Sequence, residues 1–181
     1  MSYLVIAASL NPESRSLLLA RAAQIELQKQ GEETALLNLA ETPLPFCDGG
    51  KAYEDPEVQE IARTVKSANG ILMAVPIYNY GVNAAAKNLI ELTGQAWEYK
   101  VVGFLCAAGG QRSYMAVMSL AGSLMLDFRC LILPRFVYAT GEAFEGRGIA
   151  DPEVEKRIAE LAGTLARVSR AVQVAARGHL D

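Results

Sequence analysis

The chain has 181 residues, 51% of them hydrophobic, and a net charge of −3 from 17 basic and 20 acidic side chains spread along its length. That is enough apolar material for one core, which predicts a single domain over 1–181, and the even spread of charge excludes a nucleic-acid partner, whose modules concentrate Lys and Arg on one face. The apolar run Leu4 to Ala8 is too short for a signal-peptide core or a membrane span and has no basic leader before it, so neither export nor a membrane partner is expected.

Taken in chain order, short apolar runs alternate with longer helical patterns. Tyr3 to Ala8 reads as a first strand and Ser16 to Gln30 as a first helix; Ala35 to Leu39 is a second strand, and Pro56 to Ser67 a helix behind Asp55 as its N-cap. Gly70 to Pro76 is a third strand followed by a helix over Asn83 to Thr93, and Val101 to Ala107 a fourth followed by a helix over Ser113 to Phe128. Leu131 to Tyr138 is the fifth strand, and Pro152 to Ala176 a last helix behind Asp151. Five strands in strict alternation with five helices predict a parallel sheet covered on both faces, an α/β doubly wound fold. The third and fourth strands are almost wholly apolar, as central strands are, whereas the second carries Asn38 and the fifth Pro134, which cannot donate to a ladder. Those two are therefore edges. The order 2-1-3-4-5 satisfies this, and it is the flavodoxin-like version of the fold, with ligands expected beyond the carboxyl ends of the strands.

Cys47, Cys106 and Cys130 are odd in number and widely separated, which indicates neither a disulfide framework nor a zinc site and points to a reducing cytoplasm. The only histidine, His179, lies in a polar tail and reads as plain surface, so serine-hydrolase and metal-hydrolase chemistry are excluded. No metal site and no protein catalytic residue is assigned. A cofactor is the natural carrier of any chemistry.

Three loops leave the carboxyl end of the sheet. The first, "ASLNPESRS", can be read in two ways. Asn11-Pro12-Glu13 repeats the Asp-Pro-Glu cap seen at Asp55 and Asp151; alternatively the helix starts later, near Ser14 or Arg15, and the loop holds an anion with backbone N–H groups, the hydroxyls of Ser9, Ser14 and Ser16, and the charge of Arg15. The second loop, "PIYNYG", is a tight polar turn with two aromatic rings, suited either to a flat heteroaromatic ligand or to packing on neighbouring helices. In the third, "CAAGGQRSYMA", Gly109 and Gly110 permit close backbone approach, and Arg112 can reach a negative group. All three fall on one rim.

These residues resemble the NAD(P)H-dependent FMN reductases of flavodoxin-like fold, a family that includes quinone, azo-dye and chromate reductases. "ASLNPESRS" is similar to the family's G-S-L-R-x-x-S-x-S/N phosphate loop, and "PIYNYG…AAAKNLIEL" to its P-E-Y-N-Y-S/G…LKNAIDW segment. The resemblance implies FMN as cofactor, with its phosphate held by Ser9, Asn11, Ser14, Arg15 and Ser16. Pro76, Ile77, Tyr78, Asn79, Tyr80 and Gly81 would bind the isoalloxazine ring, and Gly109, Gly110 and Arg112 would line its other side. It further implies NAD(P)H as hydride donor and ping-pong transfer to a small-molecule electron acceptor such as a quinone, an azo compound, free flavin or a metal ion. Asn11 stands where the family has arginine, and Ile77 where it has glutamate. A flavodoxin-type electron carrier without NAD(P)H activity is the alternative, and a non-flavin phosphate-binding module on the same fold is a third reading. The helix "SYMAVMSLAGSLMLDF", uncharged between Arg112 and Asp127, is apolar nearly all round, which predicts a second subunit against it; the resemblance implies a homodimer or homotetramer.

Overall fold

A computed structural model of the protein describes residues 2–177, with side chains as far as residue 174. His179 lies outside the described residues. Strands β1 (Ser2–Ala7), β2 (Glu33–Asn38), β3 (Gly70–Tyr78) and β5 (Val101–Ala108) run parallel in the order β2-β1-β3-β5, with the short β4 (Gly81–Val82) turning back on β3. Two further short strands, β6 (Leu131–Ile132) and β7 (Val137–Ala139), both pair with β5 in parallel, so the expected order of five strands, 2-1-3-4-5, is realised with its last member in two pieces.

The division of that last strand departs from the continuous run expected over Leu131 to Tyr138. Pro134 has no N–H to give to β5, and Arg135 takes a left-handed conformation at φ 60°, so the chain leaves the ladder after Ile132 and rejoins it at Val137. A second departure follows β5. The helix expected from Ser113 opens as a 3-10 segment over Gln111–Val117 with a non-helical Ser113, and α4 proper is Met118–Phe128. No side chain caps either start, so nothing fixes an α-helical first turn there.

Helices α1 (Arg15–Lys29) and α5 (Pro152–Arg177) cover one face of the sheet; α2 (Pro56–Ser67), α3 (Ala84–Thr93) and α4 cover the other. Every residue of β3 from Gly70 to Ile77, and all of β5, is buried. Alternate residues feed two separate cores: Ile71, Met73 and Val75 face α2, α3 and α4, while Leu72 and Ala74 face α1 and α5. Each fully buried Leu or Ile contributes about 1.5–3 kcal/mol by leaving water. The largest fully buried side chains, Trp97 and Tyr3, both have their polar tips satisfied: Trp97 Nε1–H donates to Thr93 Oγ1 at 2.7 Å and Tyr3 Oη to Ala166 O at 3.3 Å.

Between β7 and α5 a hairpin forms that the sequence patterning does not reveal, with β8 (Phe144–Glu145) antiparallel to β9 (Gly148–Ile149). It lies at the carboxyl end of the sheet, against the start of α1. No helix among the described residues is long and apolar enough to cross a membrane.

Candidate active site

The Asn11 copy of the Asx-Pro-Glu motif diverges from its two relatives in the same chain. Asp55 Oδ1 accepts from Glu57 N at 2.8 Å and Asp151 Oδ1 from Glu153 N at 2.9 Å, and a helix starts directly after each. Asn11 Oδ1 accepts from Glu13 N at 3.0 Å in the same way, but its carbonyl then accepts from Ser14 N at 3.1 Å, closing a turn. The helix begins later, at Arg15, with Ser14 in extended conformation as its cap and Ser14 Oγ accepting from Leu17 N at 3.2 Å. The N–H groups of Arg15 and Ser16 therefore stand at the mouth of the helix without intrahelical acceptors. Ser14 Oγ and Ser16 Oγ are 3.2 Å apart and both residues are buried; Ser9 Oγ accepts from Asn11 N at 3.2 Å and supports the loop from beneath. Glu13 is paired with Arg147 of the β8–β9 hairpin at 2.5 Å, which offsets the one negative charge beside this loop.

The second loop is a two-residue hairpin. Ile77 pairs with Val82 and Tyr78 with Gly81, leaving Asn79 and Tyr80 at the tip with φ of 50° and 62°, the signature of a type I′ turn. Asn tolerates this conformation. Tyr does so at a cost of about 1–2 kcal/mol, and such strain collects at sites that use it. Tyr78, Asn79 and Tyr80 are all exposed. Asn83, just after β4, ties this loop to the first: its Nδ2 donates to Ala8 O at 2.7 Å while its backbone N–H reaches Pro76 O at 3.3 Å. Its Oδ1 is buried without a partner.

In the third loop Gly109 and Gly110 are exposed, and a Cβ on either would meet nothing within 4 Å. Tyr138 Oη donates to Gly110 O at 2.5 Å and so fixes the loop from the end of β7. Burial is the main reason that the Tyr138 hydroxyl titrates above the usual tyrosine value, which keeps it protonated and able to donate. Tyr114 stacks on Phe136 at 4.7 Å and meets Tyr138 edge-on at 5.3 Å.

The three loops enclose a cavity of about 600 Å³, lined by Asn11, Glu13, Ser14, Arg15 and Ser16 from the first, Pro76, Ile77, Tyr78 and Asn79 from the second, and Ala107, Ala108 and Gly109 from the third. Nine of the fourteen residues singled out from the sequence line it. Of the other five, Ser9 lies beneath the first loop, Tyr80 and Gly81 belong to the hairpin turn behind Asn79, and Gly110 is one step beyond the wall. Arg112 is exposed on the 3-10 segment and is not brought to the cavity. Sequence reasoning missed Ala107 and Ala108, whose small side chains make the room, and the supports Asn83 and Tyr138. Only Asn83 carries a signal, as a polar residue before an alanine run, and that signal reads as a helix cap, a role its side chain does not fill.

Neither buried thiol offers a competing chemistry, and the half-buried Cys47 does not line the cavity. Burial pushes the Cys106 thiol up to about 12 and the Cys130 thiol up to about 11, far from the reactive thiolate range. No group of three or more His, Cys, Asp or Glu that could hold a metal ion occurs among the described residues.

Comparison with known proteins gives a consistent answer. A sequence model of the family described as NADPH-dependent FMN reductase matches residues 1–145. The chain is 32% identical over 131 residues to the NAD(P)H-dependent FAD/FMN reductase of Geobacillus thermodenitrificans, covering 70% of each chain. It is 30% identical over 122 residues to the NADPH azoreductase of Bacillus sp. strain OY1-2, covering 66% of this chain and 67% of that one. In fold it is similar to the flavoenzyme NAD(P)H:(acceptor) oxidoreductase FerB from Paracoccus denitrificans, with a TM-score of 0.77 at 16% identity over 94% of this chain and 97% of the other.

Proposed function

The chain belongs to the NADPH-dependent FMN reductase family, and from that premise we propose that the cavity between the three loops binds FMN and that hydride donor and electron acceptor use it in turn. The protein is an oxidoreductase with FMN as cofactor and NAD(P)H as donor. The observation that carries the assignment of the site is the convergence of all three carboxyl-end loops on one cavity of about 600 Å³, within the usual range for a cofactor pocket.

The residues present fit the cofactor. A late helix start, two adjacent serine hydroxyls and Arg15 form a donor set for a phosphate, and the smallness of Ala107, Ala108 and Gly109 leaves one wall open to a flat ring. Arg15 supplies positive charge, Ser14 and Ser16 orient the phosphate, and the backbone of 76–79 presents hydrogen-bonding groups to the polar edge of the ring. When bound, FMN supplies hydride acceptance from NAD(P)H and onward electron transfer to the acceptor, so the protein needs no acid or base of its own. Because donor and acceptor occupy the same place, the kinetics are ping-pong. Quinones, azo compounds, free flavin and metal ions are the acceptor classes proposed.

The unit proposed is the whole chain as one domain, working as a homodimer or homotetramer in the cytoplasm. The outer side of α4 and the segment before it expose Met115, Met118, Met125 and Leu126, the last 88% exposed, and a second copy would cover them. Initial rates at several fixed concentrations of a quinone test the kinetic scheme: parallel double-reciprocal lines against NAD(P)H support it, and intersecting lines overturn it. Light scattering at micromolar concentration tests the assembly, and a monomer there overturns it.

A further inference from the structure

Among the described residues that line the cavity, Arg15 alone carries positive charge, and Glu13, the one carboxylate, is already paired with Arg147. Any phosphate held there depends on where the Arg15 guanidinium sits. Its position is set by the segment between β7 and β9, which belongs to none of the three loops. The guanidinium carbon lies 5.6 Å from the centre of the Phe144 ring, within the range of a cation–π contact. Phe144 is held in turn by pairing with Ile149 across the hairpin and by packing against the core shared by α1 and α5. The guanidinium also fits against Gly141, where an added Cβ would come within 2.9 Å of Nη1 and 3.5 Å of the guanidinium carbon.

We propose that Gly141 and Phe144 are positioning residues that hold Arg15 as the charged partner of the cofactor phosphate, one by leaving space and the other by offering its ring face. The proposal rests on the reading of the first loop as the phosphate site. Gly141 has an ordinary negative φ, so alanine fits its backbone, and what the new methyl meets is the end of a flexible side chain. The guanidinium yields and the fold does not. Gly141→Ala thus moves one cation of the cavity lining from a position that is not itself part of that lining.

The test compares FMN with riboflavin, which has the same ring and no phosphate. Dissociation constants for both are measured by flavin fluorescence quenching on the wild-type protein and on Gly141→Ala, Phe144→Leu, Arg15→Ala and the Gly141→Ala/Arg15→Ala double variant, each checked for native circular dichroism. The proposal expects Gly141→Ala and Phe144→Leu to weaken FMN by about five- to tenfold, a part of what one charge-assisted hydrogen bond contributes, with riboflavin changed less than twofold. In the Arg15→Ala background the Gly141→Ala effect disappears. Equal losses for the two flavins, no loss, or a full Gly141→Ala effect without Arg15 overturns the proposal. If Arg15→Ala is selective for FMN and the other two are not, only the positioning role falls; if Arg15→Ala itself fails to separate the two flavins, the phosphate reading of the loop falls with it.

Discussion

The Asn83 side-chain amide donates to the Ala8 carbonyl at 2.7 Å across 75 residues of sequence, joining the root of the first loop to the end of the second. Through this bond the two halves of the proposed cofactor site keep a fixed separation. Asn83→Ala leaves the Ala8 carbonyl without its partner in a buried place, which costs about 1–3 kcal/mol, partly offset by the removal of the unpartnered Oδ1. A fall of a few degrees in Tm with weaker binding of both FMN and riboflavin is expected; thermal denaturation and fluorescence titration check it.

The two kinds of Asx-Pro-Glu start make a matched pair of substitutions. Asp55→Ala removes a helix cap that is not part of the cavity lining and should lower stability by about 0.5–2 kcal/mol with flavin affinity unchanged. Ser14→Ala removes a cap of similar kind at the cavity mouth and should lower stability comparably while also weakening FMN. Urea unfolding and flavin titration of both variants separate the two effects.

Tyr80 sits at φ 62° for the sake of the turn, so Tyr80→Gly should stabilise the apoprotein by about 1 kcal/mol. The same change frees the hairpin that carries Asn79 and Tyr78 to the cavity, and FMN should bind more weakly to the more stable variant. A gain in Tm with no change in flavin affinity would detach the strain from the site.

The cysteines predict an alkaline limit. In the folded chain Cys106 is raised from its ordinary 9.0 to about 12 by burial, and Cys130 to about 11, while in the unfolded chain both ionise near the ordinary value. Above pH 9 the unfolded state therefore holds fewer protons than the folded one, and stability falls as pH rises until the folded thiols titrate. Urea midpoints should be level from pH 7 to 8 and drop from pH 9 onward, and Cys106→Ala should show the shallower drop.

Much of this was legible in the sequence, for reasons that can be located. β3 and β5 are buried on both faces, so their residues are nearly all apolar and their central place is visible in composition alone. Asp55 and Asp151 announce their helices because cap chemistry is local. Leu131 to Tyr138 misleads because Pro134 identifies an edge strand but does not say that the ladder would break and re-form around it. The hairpin from Phe144 to Ile149 is hidden because its two strands have two residues each, too few for a period, and it makes its contact with Arg15 about 130 positions earlier in the chain. Arg112 is the converse case. Its charge and its place after two glycines point to the cavity, yet the chain turns into a 3-10 segment at Gln111 and carries it into solvent. Local patterns encode local structure, whereas Asn83, Tyr138 and Phe144 act only through partners that the fold brings to them.

The central claim, that the three-loop cavity is a flavin site fed by NAD(P)H, is tested most directly by visible absorption. The purified protein is incubated with FMN, desalted, and titrated anaerobically with NADPH and then NADH, alongside the Ser14→Ala/Arg15→Ala double variant. The account predicts a retained flavin spectrum that bleaches within seconds in the wild type and is largely lost in the variant. Flavin retained equally by both proteins would contradict the placement of the site.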